Sequence, residues 1–153
     1  MNLKFSDYKT GDSDTRPWGK YVVTNVGVTE SGEDFCEKEI TVHPGELLSL
    51  QSHELRREHW RVKEGTLTVI RDRKRITLEA GQDIEIAVRS IHCMANLGEV
   101  ACVVHERQEG ICREDDIVRY RDAYDRSAGT AESEAKESLL LYTRILDELR
   151  KGK

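Results

Sequence analysis

The stretch LSLQSHELRREHW, residues Leu48–Trp60, begins as an apolar β-type run and then gathers ligand-type and charged side chains. The leading Leu-Ser-Leu is typical of a strand that is at least partly buried. The polar part offers an amide, imidazoles, guanidinium groups and a carboxylate, on Gln51, His53, Arg56, Arg57, Glu58 and His59. Such groups bind metals and anions. The place of this stretch in the fold therefore decides what the protein can do.

The composition predicts one domain without a large surface of a single charge. The chain has 153 residues, enough for one domain with a substantial core, and a net charge of -5. Basic residues are spread along the chain, so nucleic acid and membranes are not expected partners. Residues 1–20 lack the apolar segment of a signal peptide, and no run is long enough to span a bilayer. We expect a cytoplasmic protein.

Three segments follow one another along the chain. Residues 1–15 form a polar N-terminal arm, residues 16–126 a β-rich domain, and residues 127–153 a linker and a helix. In the second segment, short β-type runs alternate with turns that contain glycine, the pattern of an all-β sandwich or barrel. The four cysteines show no CxxC spacing and are expected to be reduced structural thiols.

The last segment predicts an amphipathic helix with Thr130 as a candidate N-cap. Its apolar face consists of Leu139, Tyr142, Ile145, Leu146 and Leu149. We expect this helix to pack on its own barrel. The alternative is a contact with a second copy or another protein.

The spacing of the ligand-type residues is similar to that of the two motifs of the cupin superfamily. The first motif, G(x)5HxH(x)3-4E(x)6G, is matched with glutamine in place of its first histidine, at Gly45, Gln51, His53, Glu58 and Gly65. The second motif, G(x)5PxG(x)2H(x)3N, is matched at Gly81, His92 and Asn96. Two motifs in the right order are fairly specific. The resemblance implies a cupin fold, a double-stranded β-helix or jelly-roll barrel, here with a C-terminal amphipathic α-helix.

Strand periodicity gives this spacing a physical reason. Residues two apart in a strand share a face, so Gln51 and His53 point the same way. If that face lines the barrel, Glu58 and His92 can converge on it from other strands. One amide oxygen, one carboxylate and two imidazoles suit a divalent metal, with Zn expected first and Mn, Co or Fe as alternatives. Cys93 neighbours His92 and should face the opposite way.

Longer stretches resemble the C-terminal cupin domain of type II mannose-6-phosphate isomerases, usually found in bifunctional isomerase and mannose-1-phosphate guanylyltransferase enzymes. They are RPWGKY (Arg16–Tyr21), EITVHPGELLSLQSHELRREHWRVKEGT (Glu39–Thr66) and EDDIVRYRDAYDR (Glu114–Arg126). The resemblance implies metal-dependent interconversion of mannose 6-phosphate and fructose 6-phosphate through a cis-enediol. The expected partner is a sugar phosphate, and a homodimer is expected. No Gly-rich phosphate loop precedes the cupin, so guanylyl transfer is not expected.

The resemblance also implies roles for individual residues. Glu58 is the first candidate base and Lys38 the second. Arg56 could hold the phosphate or polarise a sugar oxygen. Gln108 and Arg119 match family positions near the substrate.

The sequence departs from the family at several positions, and two other functions stay open because of three of them. Leu55 stands where the family has a histidine, and Ala87 and Arg89 replace a proline and a glycine, so we expect a remodelled loop over the metal. One alternative is a metal-binding cupin with other small-molecule chemistry, such as a sugar epimerase or an oxygenase. The other is a non-catalytic cupin that binds a sugar or regulates a partner.

Several conspicuous residues have simpler interpretations. Trp18 and Trp60 are expected to pack in the core, and His59 to face away from Glu58. The basic segment 71–75 is interpreted as a solvated turn, and the acidic segment 113–119 as the cap of a short helix.

Overall fold

The computed structural model describes residues 7–121 and 135–151. Residues 1–6 of the predicted arm, the predicted linker through residue 134 and the candidate cap Thr130 lie outside this range. The described chain contains one helix, α1 (Lys136–Lys151), and the following strands. They are β1 (Ser13–Arg16), β2 (Gly19–Val28), β3 (Asp34–Val42), β4 (Leu50–Ser52), β5 (Arg56–Glu64), β6 (Thr66–Arg71), β7 (Lys74–Glu79), β8 (Asp83–Ile86), β9 (His92–Ala95), β10 (Cys102–Gly110) and β11 (Val118–Arg121).

The strands form two antiparallel sheets, which confirms the all-β prediction. Sheet A has the order β1-β2-β3-β10-β5-β8, and sheet B the order β11-β4-β9-β6-β7. Strand β5 of sheet A contacts β7 of sheet B, so the two sheets meet along that side. Strands β1 and β11 are the edges at the other side. The register places Gln51 opposite His92 in sheet B, and Glu58 opposite Gln108 in sheet A.

Alternation along the strands places polar as well as apolar side chains between the sheets. In β5, Arg56, Glu58, Trp60 and Val62 are buried, whereas Arg57 on the other face is exposed. Period-two alternation is expected of a strand with one face on the core. The space between the sheets therefore holds the apolar core and the conspicuous residues of the 48–60 stretch.

Helix α1 packs against sheet B, as predicted. It contacts β4, β6, β7 and β9, and its buried side chains form a second apolar cluster with the outer face of that sheet. Strand β9 is consequently buried on both faces. Cys93 belongs to the cluster beneath the helix and Met94 to the core between the sheets, so Cys93 points away from the barrel interior, as expected. In the described chain, no helix has the length and apolar character needed to cross a membrane.

The acidic segment 113–119 differs from its interpretation as a helix cap. It forms a turn and then enters β11, where Arg119 pairs with Gln51. The carboxylate of Asp116 accepts hydrogen bonds from the backbone N–H groups of Glu54 and Leu55, at 2.8 and 3.0 Å. The acidic residue therefore holds the loop between β4 and β5 in place, and no helix in the described chain needs it as a cap.

Gly19 lies where the chain approaches β3 closely. A Cβ atom at this position would lie 1.9 Å from the carbonyl oxygen of Thr41, and φ is 153°. We expect Gly19→Ala to lower the free energy of unfolding by more than about 3 kcal/mol, because backbone atoms cannot move aside cheaply. Urea denaturation measures this loss. Gly11→Ala is the control, because φ is also positive there, at 95°, but an added Cβ atom would meet no neighbouring atom within 4 Å. This variant should lower the free energy of unfolding by only about 1–2 kcal/mol. Equal losses would contradict the steric explanation.

Candidate metal centre

A cavity of about 300 Å³ lies between the two sheets and reaches the ligand-type residues of both. Strand β4 of sheet B contributes Gln51, the loop after β4 contributes His53, and β5 of sheet A contributes Glu58. His92, on β9, lies next to Gln51 and Glu58 but does not line this cavity.

Three of the predicted ligands converge deep in the barrel. His53, Glu58 and His92 each offer one ligand atom, and these atoms all lie within 4.8 Å of one another. Nε2 of His53 is 3.4 Å from Oε2 of Glu58, and Nε2 of His92 is 3.8 Å from Oε1 of the same carboxylate. All three side chains are at most 3% exposed.

Both imidazoles are oriented by backbone carbonyls, which can only accept a hydrogen bond. Nδ1 of His53 donates to the Asp116 carbonyl at 2.6 Å, and Nδ1 of His92 donates to the Ser90 carbonyl at 2.9 Å. The lone pairs of both Nε2 atoms therefore face the cluster. Burial lowers the pKa of His53 to about 3 and also lowers the pKa of His92, so both rings are neutral near pH 7.

Nε2 of His92 is a buried atom without a hydrogen-bond partner in the described chain. A buried nitrogen lone pair that faces a carboxylate and a second imidazole fits a metal ligand. The residues present therefore suit a divalent metal, while nothing in the donor set selects its identity.

Gln51 is placed to supply the fourth donor. Its Nε2 lies 3.5 Å from Nε2 of His53, and its Oε1 accepts a hydrogen bond from the Ser49 hydroxyl at 2.7 Å. A half-turn of the amide would direct Oε1 at the cluster, and the hydroxyl of Ser49 could then accept from Nε2.

Glu58 is fully enclosed, and both of its oxygens have partners. Oε2 accepts from Nε of Arg56 at 2.9 Å, and Oε1 accepts from Nε1 of Trp60 at 3.0 Å. Burial opposes its negative charge, but the guanidinium of Arg56 favours it, and the balance holds the pKa of Glu58 well below its usual range. Glu58 is therefore an ionised carboxylate, which suits a metal ligand better than a base.

Arg56 turns its guanidinium toward this cluster. Besides its bond to Glu58, Nη1 donates to the Arg113 carbonyl at 2.9 Å and Nη2 lies 3.2 Å from Nε2 of His53. The residue is only 6% exposed. These contacts place the Arg56 guanidinium beside the proposed ligands, and its expected role of holding the phosphate or polarising a sugar oxygen stays a prediction.

A second polar group lines the same cavity. The ammonium of Lys38 lies 3.8 Å from the ring centroid of Tyr8 and 4.5 Å from that of Tyr21, and burial lowers its pKa. Nε2 of Gln108 donates to Glu106 at 2.5 Å. Lys38 and Gln108, both predicted from the resemblance, therefore lie in the cavity.

Sequence reasoning missed Glu106, a buried carboxylate in the cavity wall. Burial, followed by the charge of Glu58, raises the pKa of Glu106 to about 7. The signal was available, because Glu106 lies two residues before Gln108 on β10 and so shares its face. The pKa values of the two buried glutamates of the cavity, Glu58 and Glu106, are thus shifted in opposite directions.

The positions that depart from the family pattern lie at the edge of this site. Leu55 is 46% exposed and is not part of the cavity lining. Arg89 has a φ of 68°, in the left-handed region that glycine adopts readily, and its backbone N–H donates to the His53 carbonyl at 2.8 Å. Its side chain pairs with Glu54 outside the cavity. Arginine therefore takes up the backbone conformation that the motif's glycine favours.

The other conspicuous residues lie as their simpler interpretations predicted. Trp18 and Trp60 are buried, although Trp60 also donates to Glu58 and Trp18 lines the cavity. His59 faces outward and lies 2.7 Å from Asp83. The turn between β6 and β7 is exposed. All four cysteines are buried and free.

A sequence model of the family "Mannose-6-phosphate isomerase C-terminal" matches residues 5–122. The chain belongs to this family. It is 42% identical over 117 residues to the alginate biosynthesis protein AlgA of Pseudomonas aeruginosa. This match covers 76% of this chain and 23% of that protein. It is 38% identical over 112 residues to the mannose-1-phosphate guanylyltransferase ManC of Salmonella typhimurium, covering 72% and 22%. This member of the mannose-6-phosphate isomerase C-terminal family thus spans less than a quarter of these curated relatives.

Solved structures with the same fold include an RmlC-like cupin and an oxalate decarboxylase. An RmlC-like cupin from Shewanella frigidimarina superposes with a TM-score of 0.53 at 16% identity, covering 72% of this chain and 85% of that one. Oxalate decarboxylase of Lactobacillus farciminis superposes with a TM-score of 0.59 at 15% identity, covering 71% and 33%. The predicted all-β cupin with a C-terminal helix is confirmed. Helix α1 lies beyond the residues matched by the family.

The position of His53 depends on Asp116, and this can be tested. We expect Asp116→Ala to weaken metal binding about 10- to 100-fold, because two backbone N–H groups lose their acceptor and the loop that carries His53 loosens. Calorimetric titration of the chelated protein with Zn²⁺ measures the affinity. Asp115→Ala is the matched control, since Asp115 is the neighbouring residue, is 75% exposed and pairs with Arg113. Equal affinities of the two variants would show that Asp116 does not position the ligand.

Proposed function

We propose that this chain is a metal-dependent aldose-ketose isomerase that interconverts mannose 6-phosphate and fructose 6-phosphate through a cis-enediol. The observation that carries the proposal is the convergence of His53, Glu58 and His92 beside a polar cavity, in a member of this family. The description of the matched family names mannose-6-phosphate isomerase, which supports this substrate. The homodimer and the cytoplasmic location expected from the sequence stay predictions.

Gln51, His53, Glu58 and His92 would hold the metal. When bound there, a divalent cation supplies Lewis-acid stabilisation of the negative charge that develops on a sugar oxygen. The carbonyls of Asp116 and Ser90 fix the two imidazoles, and Trp60 fixes the carboxylate of Glu58. The donor atoms are therefore ordered before the metal or a sugar binds.

The proton that moves between C2 and C1 of the sugar needs a carrier in the cavity wall. Glu58 is engaged by Arg56 and Trp60, and its low pKa makes it a weak base. Glu106 lines the cavity, and its raised pKa matches proton uptake and release near neutral pH. We therefore assign the proton transfer to Glu106 in place of Glu58, with the ammonium of Lys38 as a neighbouring positive charge.

The test is turnover of mannose 6-phosphate by the purified protein after chelation and after adding back Zn, Mn, Co or Fe. Activity should vanish on chelation and return with at least one metal. A protein that binds one metal per chain but makes no fructose 6-phosphate with any of the four would contradict the proposal.

A further inference from the structure

The segment RPWG, Arg16–Gly19, is prominent in the sequence but takes no part in the metal cluster. Trp18 is buried against the cavity, and Gly19 permits the close approach to Thr41. Arg16 lines the same cavity as the predicted ligands, and its side chain is 36% exposed, compared with 7% for Arg56. A cation on the exposed wall of a cavity can meet a charged ligand.

Two cations meet at one aromatic ring on this wall. The guanidinium carbon of Arg16 lies 5.8 Å from the ring centroid of Tyr21, and the ammonium of Lys38 lies 4.5 Å from it. Lys38 also contacts the ring of Tyr8 at 3.8 Å. The rings hold the cationic groups in place through their faces without neutralising their charge.

A third cation approaches from the other sheet. Arg119 lines the cavity from β11, the edge strand of sheet B, whereas Arg16 ends β1, the edge strand of sheet A. Both edges lie opposite the side where β5 contacts β7. The two arginines therefore flank the side of the cavity away from the sheet junction.

Asp14, the acidic partner of Arg16, leaves the Arg16 guanidinium accessible to an anion. Asp14 pairs with Arg16 at 3.1 Å, but its side chain is 48% exposed, so a phosphate could compete for the guanidinium. Glu114 accepts a hydrogen bond from the Tyr21 hydroxyl at 3.2 Å. Arg56 is less suited to this purpose, because its side chain is only 7% exposed and three of its five N–H groups already meet Glu58, His53 and the Arg113 carbonyl.

We propose that Arg16, Lys38 and Arg119 form a phosphate subsite that selects phosphorylated over neutral sugars. The proposal rests on the proposed function, because it assigns an orientation to the sugar phosphate in the cavity. The phosphate lies by the edge strands, and the carbons that exchange the proton lie toward the metal cluster. Two arginines from different sheets can each donate charge-assisted hydrogen bonds to one phosphate.

Binding of mannitol 6-phosphate and of mannitol, measured by calorimetry, tests the subsite without relying on turnover. Mannitol 6-phosphate lacks a carbonyl and cannot isomerise. We expect the wild type to bind it at least about 100-fold more tightly than mannitol, and Arg16→Gln and Arg119→Gln each to lose about 10- to 100-fold. Arg61→Gln is the matched control, because Arg61 is exposed on β5 and does not line this cavity.

The outcomes separate this proposal from the isomerase itself. Loss of phosphate-dependent binding in both variants, with none in the control, supports the subsite even if mannose 6-phosphate is never converted. A wild type that binds both compounds equally overturns it. Wild-type affinity of both variants also overturns it, even in an active isomerase.

Discussion

His92→Ala is expected to leave a folded barrel that no longer retains a metal ion. Nε2 of His92 is a buried atom without a hydrogen-bond partner in the described chain, and removing the ring takes away one of the four proposed donors. The affinity for Zn²⁺ should fall by more than about 100-fold, which exceeds typical losses for residues that only orient a ligand. Metal content after gel filtration, measured by mass spectrometry, reports the loss directly.

The control for this variant is His59→Ala. His59 faces solvent beside Asp83 on the opposite side of β5, so its loss should leave the metal content unchanged. Circular dichroism must show that His92→Ala still folds, and His53→Ala gives a second variant with the same expected result. One metal per chain in both cluster variants would overturn the ligand assignment.

The second large effect is expected for Glu106→Gln. The amide keeps an oxygen that can accept the hydrogen bond from Gln108 but cannot take up a proton, so turnover should fall about 10²- to 10⁴-fold. Metal content should stay at the wild-type level, because Glu106 is not one of the four proposed ligands. Steady-state rates for metal-loaded protein, with kcat separated from KM, measure the effect.

Glu109→Gln is the matched control for this variant, because Glu109 lies on the same strand with its side chain on the outer face, where it pairs with Arg57 and Arg107. Its turnover should equal that of the wild type. Wild-type turnover by Glu106→Gln would instead favour Glu58 or Lys38 as the general base.

Thermal melting of the chelated protein supplies a second, independent readout for Glu106. A carboxyl whose folded pKa is raised to about 7 binds its proton more tightly when folded, so its contribution to stability is lost as pH rises from about 5 to 7. Glu106→Gln removes this loss, which amounts to about 1–3 kcal/mol. The variant should therefore melt several degrees above the wild type at pH 8 and close to it at pH 5. The same difference at both pH values would contradict the raised pKa.

Strand periodicity was sufficient to predict much of the fold and of the cluster. Residues two apart share a face, which placed Gln51 with His53 and directed Cys93 away from His92. The same rule, applied from Gln108, would have identified Glu106 as well. The short apolar runs likewise predicted most of the strands of the barrel.

Features set by contacts between distant segments could not be predicted in this way. The direction of Arg56 depends on the carbonyl of Arg113, and the anchoring of His53 depends on Asp116. Both partners lie in the segment 113–119, which the sequence analysis interpreted as the cap of a short helix. Spacing identifies which residues can face one another, whereas hydrogen-bond partners and pKa values depend on how the sheets are brought together.

Metal-dependent isomerisation can be observed by nuclear magnetic resonance of mannose 6-phosphate in D₂O, with chelated and with metal-loaded protein. We expect fructose 6-phosphate that carries solvent deuterium at C1, formed only by metal-loaded protein, because the base exchanges its proton during transfer. Protein with one metal per chain that yields neither the product nor deuterium exchange at C2 would contradict it.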